Sequence, residues 1–402
     1  MIEYLPLMKN TKAKKRIYFD YAATTPVDKA VIKAMLPYYT EKYGNSASIH
    51  SMGTEANKAV DKARETIANY LNCQISEVFF TSSATESNNW ALKGIAAANK
   101  DKGNKIIVSA IEHDCVLNSA KYLAQNGFKV EFAPVDEFGI VDLKKLEEMI
   151  TEDTTLVSIM HSNNEIGTIE PIEEIGKICR EKGVLFHTDA CQSFGKMPVN
   201  VQKLNIDLLT ASSHKIYGPK GAAILYIKNG TKIEPLLHGG GHERGKRSST
   251  VNVPAIVGFG KALELCIKEM YDEKLRETRL RDKMIKTILK KIDSSHLNGH
   301  PIKRLPNNVN VRFDFIEGEA LMMELDSKGI EVSTVSACAS PKLESSHVLL
   351  ACGVEEKYAQ GTIRVSIGRY TTEKEVNYFL ETLPEAVKKI RSISPMNLIE
   401  DF

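Results

Sequence analysis

Two nearby segments, HTDACQSFGK (His187 to Lys196) and TASSHKIYGPKG (Thr210 to Gly221), each close an apolar run with chemically active residues. The first presents Asp189 and Gln192. The second presents Ser212 and His214, then Lys215 just before a Gly218-Pro219 turn. A carboxylate and an amine at the mouths of two neighbouring strands are either a salt bridge or the two ends of a cofactor grip. Other polar residues gather at similar points. His113 ends KIIVSAIEH, while Asn163, Asn164 and Glu165 follow TTLVSIMH. After EVFFTSS the chain enters a helix through Ala84, Thr85, Glu86 and Ser87. Such an entry is either a plain hydroxyl cap or an anion site built from unpaired N–H groups.

Each residue alone has a structural explanation, a lone strand-end histidine above all. Their joint place is harder to explain structurally, because open parallel sheets bind ligands outside the carboxyl ends of their strands. The set matches pyridoxal 5'-phosphate (PLP). The aldehyde needs a lysine for a Schiff base, the pyridine nitrogen needs a carboxylate, and the phosphate needs N–H and hydroxyl donors. Lys215 is preferred to Lys220, which lies beyond the turn where solvent is expected. A dinucleotide site is the rival, but no strand is followed by G-x-G-x-x-G.

The elements that must position these residues are legible as a pattern. From Ile17 to Lys228, short β-branched runs alternate with amphipathic segments such as ATESNNWALKGIAAANK and IEEIGKICREKG. This predicts an α/β domain with a mostly parallel sheet, over residues 17–260. A charged helical stretch from Val253 to about Ile292 leads into mixed strands and helices. Residues 1–16 and 261–402 are expected to form a smaller α+β domain.

Composition narrows the function. The chain has 402 residues, with 43% hydrophobic and 26% charged content and a formal net charge of +2. That balance gives no reason to expect nucleic acid or a membrane as partner. The basic run KNTKAKKR (Lys9 to Arg16) reads as a solvated tail. No apolar run is long enough to cross a bilayer, and no secretory leader is visible. The seven cysteines are scattered and never form a CxxC pair. They argue against a disulfide framework or a zinc site and for a reducing compartment, the cytoplasm.

Seven segments then carry a resemblance: YFDYAATTPVD, FTSSATESNN, NNEIGTIEPI, HTDACQS, SSHKIYGPKG, GGGHERGKRSST and RVSIGRYTT. In this order they resemble the cysteine desulfurases of the NifS/IscS type, PLP-dependent homodimers of fold type I. The resemblance implies that Lys215 holds PLP, Asp189 pairs with its pyridine nitrogen, and His113 stacks on the ring and moves protons. It puts Asn164 and Gln192 beside the ring, and Ala84, Thr85, Ser212 and His214 on the phosphate. Thr250 would reach the phosphate of the partner subunit's cofactor. Arg364, with Asn164, would hold the substrate carboxylate. Ser83, Ser213 and Ser249 depart from the family, which usually has glycine there. If those backbones need positive φ, each serine costs about 1 kcal/mol.

The stretch STVSACASPKLESS (Ser333 to Ser346) has neither helical nor strand period and reads as an exposed loop. Its Cys338 matches the family nucleophile, which takes sulfur from L-cysteine as a persulfide and leaves L-alanine. Expected acceptors are an iron–sulfur scaffold protein or a tRNA-thiolation enzyme. The one metal contact expected is transient ligation of an iron–sulfur cluster by Cys338. Selenocysteine lyase and PLP aminotransferase are alternatives on the same fold, and an inactive sulfur-carrier platform is a third.

Overall fold

A computed structural model describes residues 16–334 and 345–394. Its main sheet has seven strands: β2 (Val78–Thr81), β3 (Lys105–Ser109), β4 (Lys129–Ala133), β5 (Thr154–Ser158), β6 (Leu185–Asp189), β7 (Leu208–Ser212) and β8 (Ala223–Ile227). They follow β1 (Ile17–Tyr18) in the chain, and their spatial order is β2-β8-β7-β6-β5-β3-β4. From β7 to β4 the pairing is parallel, whereas β8 runs antiparallel to both β7 and β2.

Alternation along the strands explains the layers. Ile107 and Val157 point into one apolar cluster, with Ile67, Ile175 and Phe259. Ile106, Val108 and Leu156 point into another, with Trp90, Ile95 and Leu123. Helices Ser51–Leu71 and Ile172–Glu181 therefore cover one face, while Ala84–Ala98 and Asp114–Gln125 cover the other. The central strands β5 and β7 are thus buried along their whole length, while β4 at the edge stays partly exposed.

The edge at β2 is closed by side chains rather than by another strand. Arg64 Nη1 and Arg244 Nη2 donate to Val78 O (2.7 and 2.8 Å), and Phe80 N donates to Glu243 Oε2 at 2.9 Å. Arg64 and Glu243 complete a bidentate buried pair, which fixes the loop running on to Thr250. Glu243 and Arg244 both have positive φ, 50° and 57°, so that loop is held in a conformation L residues rarely adopt.

The 39-residue helix Val253–Lys291 buries Ile256 and Phe259 in the main core and Leu280, Met284 and Ile288 in a second. That second core contains the remaining strands: β9 (Ser295–Leu297), β10 (Asn308–Phe313), β11 (Ile330–Glu331) and β12 (Thr362–Ser366). They form the sheet β12-β10-β9 and the pair β1-β11. The run RIYFD thus does not join the α/β series that its position suggests. β1 pairs in parallel with β11, and Phe19 packs edge-on against Phe379 at 5.7 Å. An apolar run states that it will be buried, not against what. Among the described residues no helix is long and apolar enough to cross a membrane.

Candidate active site

The carboxyl ends of β6 and β7 lie side by side and bring the two opening segments together. After β7, a single 3-10 turn, Ser213–Lys215, directs Lys215 Nζ onto Ala22 O (2.6 Å) and Ala23 O (2.8 Å). The chain from β1 passes here, and Thr25 pins it: its Oγ1 donates to His214 O and accepts from Tyr217 N. His214 Nδ1 lies 3.1 Å from Thr24 Oγ1. Tyr217 has φ 65°, a strained value for an aromatic residue, and is braced by Thr25 and by Arg369 N donating to its hydroxyl. Burial draws the Lys215 pKa from 10.5 down to about 8; Arg364 and Lys196 add to the fall, and Cys191 and Asp189 oppose it. Lys220 is exposed.

Asp189 is buried at the end of β6. Its Oδ2 accepts from Asn88 Nδ2 at 2.6 Å and its Oδ1 from Cys191 N at 2.9 Å. Asn88 was not singled out from the sequence. The available signal was an asparagine one turn into an otherwise apolar helix face, at i+4 from Ala84. Gln192 Nε2 donates to Ala22 O at 2.9 Å, the same carbonyl that Lys215 uses.

The helix that carries Asn88 begins at Ala84 and Thr85. Ser83 caps it, its Oγ accepting from Glu86 N. Ser83 sits at φ −162°, ordinary extended backbone, and neither Ser213 nor Ser249 has positive φ. The strain made conditional on positive φ therefore does not arise. Ser213 has a different consequence, since a Cβ on Gly218 would run into its hydroxyl. Thr250 stands apart from Lys215 within one chain. It is exposed over a cavity lined also by Ser82, Gly221, Arg247 and Ser249, and Arg247 binds Glu86 bidentately (2.7 and 2.9 Å).

His113 ends the β3 segment, exposed, and caps the next helix by accepting from Cys115 N at 3.1 Å. Beside it Glu112 is fully buried. Its Oε1 accepts from Ser109 Oγ and Met160 N (both 2.6 Å), its Oε2 has no partner, and burial pushes its pKa up to about 8. Opposite, Arg364 on β12 donates to Asn164 O (3.0 Å) and to one oxygen of Asp20 (2.8 Å), and its Nε has no partner. A guanidinium held on one side and unsatisfied on another can still receive a planar carboxylate.

Cys338 lies outside the described residues. The described residues on either side of it are fixed at this site. Ser333 exchanges backbone hydrogen bonds with Arg364, Ser346 Oγ donates to Glu165 at 2.5 Å, and His347 Nε2 lies 2.9 Å from Glu112 O. Glu165, raised by burial to about 7, was read from the sequence only as a neighbour of Asn164.

The family model for class-V aminotransferases matches residues 17–379. A protein named cysteine desulfurase IscS 1, from Archaeoglobus fulgidus, is 52% identical over 94% of this chain and 99% of its own. The cysteine desulfurase IscS of Methanosarcina thermophila is also 52% identical, over 95% of this chain and 94% of its own. A solved structure titled NifS-like protein superposes with a TM-score of 0.88 at 44% identity, covering 93% of this chain and all of that one. The chain belongs to the class-V aminotransferase family, among its NifS/IscS-type cysteine desulfurases.

PLP is the cofactor of this family, and the donor set fits it. Lys215 supplies an amine whose pKa lies within reach of neutrality, and Asp189 a carboxylate locked by two donors. The first turn of the Ala84 helix offers N–H groups without intrahelical partners. Against this desulfurase background the remaining thiols are suppressed. Cys191 is pushed well above its usual range by burial, and Cys73, Cys115, Cys179, Cys266 and Cys352 up to about 12. A thiol held neutral is a poor nucleophile. Among the described residues no cluster of three or more His, Cys, Asp or Glu is arranged for a metal.

Proposed function

We infer that the chain is a cysteine desulfurase in which Lys215, Asp189, His113, Arg364 and Cys338 share the work. The observation that carries this reading is the Lys215 amine, its pKa lowered by burial, held on two carbonyls at the sheet edge that also holds Asp189. PLP bound there supplies an electron sink for the substrate's α-carbon.

Lys215 would hold the cofactor covalently through its amine and, once displaced by the substrate amine, would be free to move a proton at the substrate. Asp189 would face the pyridine nitrogen. Asn88 and Cys191 N keep its oxygens oriented. Ala84, Thr85, Ser212 and His214 would take the phosphate, Gln192 and Asn164 would flank the ring, and His113 would stack on it. Arg364 receives the L-cysteine carboxylate. The Cys338 thiolate attacks the substrate sulfur, the carbon–sulfur bond breaks, and carbon keeps the electron pair and is protonated. L-alanine leaves, and the sulfur remains as a persulfide on Cys338. This covalent route replaces one difficult cleavage by easier steps.

The sulfur serves iron–sulfur cluster assembly. The finer assignments are proposals: a scaffold protein or a tRNA-thiolation enzyme as acceptor, a cytoplasmic homodimer in which Thr250 reaches the neighbour's phosphate, and a division into residues 17–260 against 1–16 with 261–402, save that Ile17 and Phe19 pack in the second core.

Cys338→Ala tests the reading. It should still bind L-cysteine, with a change in the cofactor's visible spectrum, yet form no alanine and carry no persulfide. Full alanine production, or persulfide trapped on Cys191, would overturn it.

A further inference from the structure

Behind Lys215 lies a small chamber whose walls include Lys196, Tyr217, Cys266, Glu273 and Glu277. Lys196 stands at a bend after β6, and the two glutamates stand on the long helix. The Lys196 ammonium reaches Gln192 Oε1 at 3.4 Å and forms no ion pair with a described residue. The carboxylates across the chamber are engaged elsewhere. Glu273 meets Arg369 at 3.3 Å and accepts from Tyr217 Oη at 3.2 Å, and Glu277 lies 3.7 Å from Arg276. Lys196 thus shares the chamber with the amine of Lys215, and Glu277 and Glu273 act on it without a direct ion pair.

Gln192 joins the two lysines. Its Oε1 accepts from Lys196, and its Nε2 donates to Ala22 O, on which Lys215 Nζ also rests. An ammonium can only donate, so its contact decides which end of the carboxamide faces it and turns the other end toward Ala22.

We propose that Lys196 is a positioning residue for the cofactor lysine, disfavouring a second ammonium at Lys215 and fixing the orientation of Gln192. This rests on the reading of Lys215 as the residue that holds PLP. The charged groups facing Lys215 come from several elements: Asp189 and Cys191 after β6, Arg364 on β12, Lys196 from the bend, and Glu273 and Glu277 from the helix. Arg364 and Lys196 favour the free amine; Cys191 and Asp189 favour the ammonium. Burial lowers the pKa of Lys196 itself, and Glu277 and Glu273 oppose that fall. Arg364 is committed to substrate, which leaves Lys196 as the other basic group of the set.

The test is a pH titration of the holoenzyme's visible absorbance, read as the midpoint at which the lysine-bound cofactor changes protonation. Lys196→Met should raise that midpoint by about one pH unit, a roughly tenfold change in proton affinity. Lys196→Arg, which keeps the charge, should restore the wild-type midpoint. Should the Met variant lose its thermal transition, Lys196→Gln is read in its place. An unchanged midpoint in a folded neutral variant overturns the proposal, as does an equal shift in Lys196→Arg. Borohydride reduction and peptide mass separate the two layers. An adduct on a lysine other than Lys215 overturns the parent reading and the proposal with it. An adduct on Lys215 with an unmoved midpoint overturns the proposal alone.

Discussion

At the amino end of β3, Lys105 is buried. Its Nζ donates to Met149 O at 2.5 Å and Thr151 Oγ1 at 3.2 Å, and forms an ion pair with Glu131 at 3.0 Å. Just past the carboxyl end of the same strand, Glu112 is equally buried but takes only neutral donors, and one of its oxygens takes none. The consequences run in opposite directions. Lys129 and Lys105 hold Glu131 below the usual carboxylate range, whereas burial pushes Glu112 up to about 8. Lys215 repeats the second pattern with the sign reversed: carbonyls on its amine, no ion pair with a described carboxylate, and a pKa drawn down to about 8. Neutral partners compensate lost hydration less than an opposite charge does. Glu131 at one edge of the sheet is therefore held as an ion, while Glu112 and Lys215 at the other remain able to change protonation near neutrality. Acid–base and carbonyl chemistry need the second condition.

The largest effect should come from removing the poised amine. Lys215→Ala should lose covalent retention of PLP and about 10⁴-fold or more of turnover, since a group that works as part of a unit takes most of the rate with it. Lys220→Ala should stay yellow and active. A borohydride-reducible Lys215→Ala protein would end the contrast between the two lysines.

Next, Asn88→Ala leaves a buried Asp189 oxygen without its donor. The expected cost is about 1–3 kcal/mol, read as a ten- to hundredfold weaker grip on PLP in equilibrium dialysis. Wild-type affinity would show that Asp189 does not depend on this contact.

Lys105→Met should sharpen the comparison from the other side. Breaking a pair whose acid is partly solvated should lower stability by about 1–3 kcal/mol, seen as a lower denaturant midpoint with turnover per folded molecule unchanged. A loss of turnover matching that of Asn88→Ala would erase the distinction between the edges.

The last effect concerns pH. The folded pKa of Glu112 is raised, so its contribution to stability is whole below its ordinary value of 4.5 and is lost as pH rises through about 8. Unfolding free energy followed across that window should fall in the wild type and fall less in Glu112→Gln. Equal slopes would show that Glu112 does not titrate as its burial implies.

The residue set around PLP was legible because chemistry constrains residue type. A Schiff base needs a lysine, a pyridine nitrogen an acid and a phosphate a helix start, and each lay at the end of an apolar run. The strand and helix sequence was legible for a similar local reason: β-branched runs and amphipathic periods report burial directly. What escaped was partnership. RIYFD was readable as a strand, yet its pairing with β11 is set more than three hundred positions away in the chain. Asn88 was readable as polar, but its contact with Asp189 exists only because helix Ala84–Ala98 packs over the sheet edge.

By itself, then, the sequence determined which functional groups this protein owns and which of them must stand at strand ends. Only the tertiary structure decided their proton states. Those depend on what surrounds each buried group: Ala22 and Ala23 carbonyls beneath Lys215, one unanswered oxygen on Glu112. Such surroundings are assembled from segments far apart in the chain. The desolvation they impose is a property of packed volume, which no local pattern of residues encodes.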